Sequence, residues 1–118
     1  MNSTNQRRIF LGMPGYGRMT AAAGAAFYLS ACADMSRVHR EYRQGSLLAS
    51  NFNQLWCAAL NAAHQGAAFD YFAMLHDDVA PLDNCWLDIL IDELEAKSLD
   101  VLSVVVPIKD TRGMTSMA

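Results

Sequence analysis

The sequence is poor in charge. Lys, Arg, Asp and Glu make up 18% of its 118 residues, against 53% hydrophobic residues. That balance excludes a disordered chain, which stays unfolded through high charge and low hydrophobicity. The net charge of −3 leaves no basic footprint for nucleic acid. Apolar runs are short, below the roughly 18 residues that a membrane-spanning helix needs. Cys32, Cys57 and Cys85 form no Cys-x-x-Cys pair, and an odd number argues against a disulfide framework. Each reads as a small buried apolar residue in a reducing compartment, and the expected location is the cytoplasm. The glycine motifs that cradle phosphate, GxGxxG and GxxxxGK[ST], are also missing. At this length the chain is one domain, 1–118, with 111–118 as a tail after the last element.

What is present alternates. Arg8 to Gly12 is a short apolar run ending at Gly12-Met13-Pro14-Gly15, which reads as a buried strand and a tight turn. Residues 19–33 read as an Ala-rich helix. Val38 to Arg43 reads as a second strand, with Val38 and Tyr42 on one face and His39, Arg40 and Glu41 diluting the pattern. After a loop at Gly45–Leu48, Ser50 or Asn51 is the expected N-cap of the next helix. Its apolar stripe is Phe52, Leu55, Trp56, Ala59, Leu60 and Ala63, and Gly66 is the expected stop. Phe69 to Leu75 reads as a strand in the sheet interior. Asp83 is placed to cap a helix over 84–97, striped by Leu87, Leu90, Ile91 and Leu94. Val101 to Val106 reads as a further buried strand, ended by Pro107. Strands alternating with helices imply an α/β layered fold with a mainly parallel sheet. Ligands then bind beyond the carboxyl ends of the strands. Pro14–Arg18, His76–Asp78 and Lys109–Asp110 lie at those ends.

The acidic turn carries the clearest chemistry. His76, Asp77 and Asp78 follow an apolar strand directly. Crowded carboxylates favour a divalent cation, and oxygen donors suit Mg²⁺ or Mn²⁺. A solvated acidic turn with one Asp as a helix cap accounts equally well for the triplet. The Gly12–Gly17 turn reads either as a phosphate contact or as a turn needing unusual backbone angles. Tyr16 can stack on a base or cover the sheet edge. Asn51 reads as a cap; Asn53 lies opposite the apolar stripe and can face a cleft or water. Lys109 can balance phosphate charge or stay solvated. His39 and His64 have no partners at ligand spacing.

The first residues also carry a competing pattern. Arg7-Arg8 ahead of apolar residues 19–31 and Leu29-Ser30-Ala31-Cys32 together look like a twin-arginine signal with a lipoprotein cleavage site. Pro14-Gly15-Tyr16-Gly17-Arg18 interrupts that pattern with a turn and a charge.

Four segments together resemble the nucleotide-sugar-binding half of GT-A glycosyltransferases of the family 2 type, especially short bacteriophage and bacterial members. They are Ile9–Gly17, Gly45–Asn53, Phe72–Val79 and Val104–Lys109. The resemblance implies a Rossmann-like three-layer sandwich with helices on both faces of the sheet. It implies binding of a nucleotide-diphospho-sugar with Mn²⁺ or Mg²⁺, and transfer to an unknown acceptor. Pro14 and Tyr16 match the family's turn beside the nucleotide base, and Asn53 is the nearest match to an Asn lining the nucleotide pocket. His76-Asp77-Asp78 stands where the family has its DxD triplet. Asp78 matches the second acidic position and His76 replaces the first. Asp78 and His76 are thus the expected metal ligands, with Asp77 and Lys109 toward the sugar nucleotide. No residue matches the family's catalytic base, and no segment matches its acceptor-binding half. The alternatives are a non-catalytic α/β binding or assembly module, joined to a second copy or a partner chain, and an exported lipoprotein.

Overall fold

A computed structural model describes residues 7–106. Three strands form one parallel sheet: β1 (Ile9–Gly15), β2 (Val38–Gln44) and β3 (Tyr71–Met74), in the order β2-β1-β3. The register pairs Ile9 with Val38 through Gly15 with Gln44, and Ile9 with Tyr71 through Gly12 with Met74. All seven residues of β1 are buried.

Three helices connect and cover the strands: α1 (Ala21–Tyr28), α2 (Leu48–His64) and α3 (Trp86–Ala96). The odd residues of β1, Ile9, Leu11 and Met13, pack with Ala23, Ala26 and Phe27 of α1 and Trp86, Leu87 and Ile91 of α3. On the opposite face Leu55 of α2 sits over Gly12, and Phe52 and Trp56 make edge contacts with Phe72. Helices thus cover both faces. The crossovers from β1 to β2 and from β2 to β3 run in opposite directions, so two connections of the same hand must place α1 and α2 on opposite faces.

β1 is longer than the expected strand, running through Met13-Pro14-Gly15 before the turn at Tyr16-Gly17. Pro14 is tolerated there by parity. The Gly12 carbonyl accepts from Leu75 N–H of the β3 connection, so position 14, two residues on, also faces the β3 side. Pairing with β3 has already ended at Gly12, so no ladder bond needs a Pro14 N–H.

The first helix is shorter than 19–33. Thr20 caps it, accepting from Ala23 N–H at 3.2 Å, and it ends after Tyr28. The chain then turns to bury Ala31 and Cys32, where the Ala31 carbonyl accepts from Leu87 N–H of α3. A single 3-10 turn (Met35–Arg37), capped by Asp34, leads into β2. β2 matches the expected 38–43 with one residue more. Its polar middle belongs to an edge strand, where His39 and Arg43 both pair with Glu41.

The second helix starts at Leu48, before Ser50 and Asn51, and its first turn has no side-chain cap. Asn51 is buried within it instead. Gly66 is the expected stop: at φ 88° it sits in the left-handed region, while Ala67 N–H and Gly66 N–H donate to Ala62 and Ala63 carbonyls. Only part of the stripe is covered, since Trp56 and Leu60 are 43% and 52% exposed. Among the described residues β3 lies at the sheet edge, not in its interior.

α3 falls within the expected 84–97, and Asp83 accepts from Cys85 N–H at 2.8 Å just ahead of it. Residues 101–106 form no strand. α3 shares its face with α1, so a strand laid beside β3 directly after α3 would require a crossover of the rare hand. Pro107, Lys109 and the 111–118 tail lie outside the described residues.

Of the cysteines, Cys32 is buried as expected, Cys85 is partly exposed, and Cys57, on the outer side of α2, is exposed. Burial and the neighbouring Asp88 charge push the Cys32 thiol up to about 12, against the opposing pull of Arg37. Arg37 and Asp88 form a buried ion pair that ties α3 to the turn before β2. Residues 9–32, which overlap the twin-arginine-like pattern, supply the central strand and the helix packed on it. No helix of the described residues is long and apolar enough to cross a membrane.

Leu55 is fully buried and seats α2 on the sheet. Replacing it with alanine leaves a cavity that costs about 2–5 kcal/mol. Leu55→Ala is expected to lower the urea midpoint strongly, and Trp56→Ala much less. An unchanged midpoint in Leu55→Ala would mean that α2 is not held through this contact.

Candidate functional site

The carboxyl ends of the strands converge on Gly15, the last residue of β1. Its carbonyl accepts from Gly45 N–H at 2.9 Å and from the Asn51 side chain at 3.2 Å. The same Asn51 amide donates to the Gly45 carbonyl at 3.2 Å. Gln44 Nε2 donates to the Gly17 carbonyl at 2.9 Å, and Thr20 N–H donates to the Asp77 carbonyl at 2.9 Å. These bonds tie the loops after β1, β2 and β3 into one rigid platform.

Glycine is required at its centre. A Cβ on residue 15 would lie 2.6 Å from Asp77 Oδ2 and 2.7 Å from the Tyr42 hydroxyl oxygen. The missing side chain lets a carboxylate and a phenol approach the same point of backbone. Asp77 Oδ2 is screened from solvent and accepts no hydrogen bond among the described residues. A buried acceptor without a donor is costly, and such groups mark sites that a ligand or water completes. The Tyr42 phenol is raised above its ordinary value by burial first, then by the Asp77 charge and by Tyr28.

The acidic triplet divides between two places. Asp77 turns toward Gly15 and Tyr42. His76 and Asp78 instead line a large groove on the outer side of β3. Among the described residues no group of three or more His, Cys, Asp or Glu side chains stands together to hold a metal ion. Pro14 is buried within β1, and Tyr16 stands on the rim at 75% exposed. Asn53 is exposed on α2, and the amide that reaches the platform is that of Asn51. Lys109 lies outside the described residues.

Two contributors, Tyr42 and Asn51, carry no site signal in the sequence. Strand parity puts Tyr42 on the face of Val38, but nothing along the chain pairs it with Asp77, 35 residues later. Asn51 has the sequence signature of a helix cap, and only the approach of Gly15 and Gly45 gives its amide another use. Comparison of the chain with protein-family models, curated proteins and solved structures gives no match.

The Asp77–Tyr42 pair has a direct readout in the ultraviolet titration of tyrosine, with Tyr42→Phe identifying the signal. Asp77→Asn is expected to lower the Tyr42 pKa, yet leave it above the ordinary value because burial is the larger cause. The sign for stability follows: an unfolded chain ionises this phenol first, so folding weakens as pH climbs through the tyrosine range. A Tyr42 titration unmoved by Asp77→Asn would separate the two groups.

Proposed function

We propose that this chain binds a nucleoside-diphospho-sugar beyond the carboxyl ends of its strands, as the donor-binding half of a GT-A-like, Rossmann-like glycosyltransferase fold. The observation that carries the reading is the buried, unpartnered Asp77 oxygen beside Gly15 and Tyr42. It is an acceptor that a ribose hydroxyl or a base N–H satisfies, and it lies where parallel sheets bind ligands. Exposed Tyr16 on the same rim offers a face for the base.

The donor set fits a shared metal better than an enclosed one. Asp78 and His76 line one groove, and Mg²⁺ or Mn²⁺ held by few protein groups takes its remaining oxygens from phosphate and water. Such a cation would neutralise the departing diphosphate. Asp78 and His76 would hold it, and Asp77 would orient the nucleotide. Asn53 and Lys109 enter this reading from the resemblance alone. In a complete enzyme an acceptor hydroxyl attacks the anomeric carbon as the nucleoside diphosphate leaves. No residue is assigned as the base, and a cytoplasmic location belongs to the same reading. A second reading, a non-catalytic module that joins a partner, is favoured by the exposed apolar groove beside β3.

Calorimetric titration with UDP and GDP, with and without Mn²⁺, tests the first reading. Expected is metal-dependent binding, weakened at least about tenfold in Asp78→Ala, and weakened with and without metal in Asp77→Asn; about tenfold corresponds to one lost charge-assisted contact. A folded chain that binds neither nucleotide overturns it.

A further inference from the structure

Among the described residues no strand pairs with the outer edge of β3. Tyr71 and Leu75 N–H groups donate to carbonyls of Arg8 and Gly12, on the β1 side. By strand alternation the N–H groups of Phe72 and Met74 point the other way, where no strand among the described residues pairs with them. Both helix layers overhang this edge. Trp56 of α2 is 43% exposed on one side, and Ile89 of α3 is 50% exposed on the other. Between them runs a groove of about 1750 Å³, lined also by residues 101–106. Other sheet edges are blunted by charge, as β2 is by His39, Glu41 and Arg43. β3 itself carries only Tyr71, Phe72, Ala73 and Met74.

The occupant is selected by hand and by charge. Residues 101–106 cannot add beside β3 straight after α3 without the rare crossover. Asp70, Asp78, Asp83 and Asp100 line the groove, Asp70 being paired with Arg7 at 4.0 Å, and no Lys or Arg among the described residues lines it. A second copy would bring the same acidic rim against itself, and like charges across an interface oppose pairing.

We propose that the β3 edge is a strand-acceptor site for an extended apolar segment flanked by lysine or arginine. Main-chain bonds to Phe72 and Met74 supply the pairing, the overhanging helices cover the apolar side chains, and the aspartates select the basic flanks. This inference stands on the open edge, its overhang and the groove aspartates Asp83 and Asp100, to which the nucleotide reading gives no role.

The test uses the full chain and a fluorescent synthetic peptide of alternating valine and threonine with lysine at both ends. Binding is read by anisotropy, and the Phe72 and Met74 amides are followed by NMR. Two control peptides carry glutamate ends or N-methylated alternate amides. Expected is saturable binding that shifts those two amides. It should be at least about tenfold weaker for either control and for the Asp83→Asn/Asp100→Asn variant, a change of about 1.4 kcal/mol. Asparagine keeps the side-chain acceptor for Cys85 N–H, so this surface variant retains the helix entry. Absence of binding, equal binding of the N-methylated peptide, or a dimer sealed through this edge would each overturn the proposal.

Discussion

Everything in this structure depends on β1 being buried on both faces and paired on both edges. Seven consecutive residues, Ile9–Gly15, are removed from water. Their N–H and C=O groups must therefore be satisfied by neighbouring backbone, because a buried unpaired peptide group costs about 1–3 kcal/mol. That requirement holds β2 and β3 parallel to β1. Side-chain alternation then sends Ile9, Leu11 and Met13 toward α1 and α3, and Phe10 and Gly12 toward α2. The end of β1 also sets the site, since Gly15 is where the three loops are tied together.

The two sheet edges differ in chemistry. β2 ends the sheet with alternating charge, and the Arg37–Asp88 pair closes the core at its start. Losing either member of that buried pair would strand the other, which is the expensive way to break it. β3 ends the sheet with aromatic and aliphatic residues under overhanging apolar helices. The Gly15 platform and the β3 edge meet at the chain leaving β3, where Asp77 faces Gly15 and His76 and Asp78 face the groove. Successive residues of one turn thus face different parts of the surface.

The alternation of strands and helices was legible because its signals are local. The α2 stripe, the Gly66 stop and the apolar runs at β1 and β3 each depend on residues within a turn or two. Position within the sheet was not legible. Phe69–Leu75 is as apolar as an interior strand, but among the described residues it lies at the edge, and Val101–Val106 has strand-like residues yet forms no strand. At the site, the acidic turn and Tyr16 could be picked out by residue type. The Asn51 amide and the Tyr42–Asp77 approach could not, because each exists only once β1, β2 and β3 are brought together.

Hydrogen exchange of individual backbone amides, followed by NMR, tests the role of β1 most directly. Core strands exchange only through global unfolding, whereas unpaired edge amides exchange through local exposure. The account predicts slowest exchange for Phe10 to Met13 and rapid exchange for Phe72 and Met74. Exchange of the β1 amides as fast as those two would contradict a sheet organised around a doubly paired, fully buried central strand.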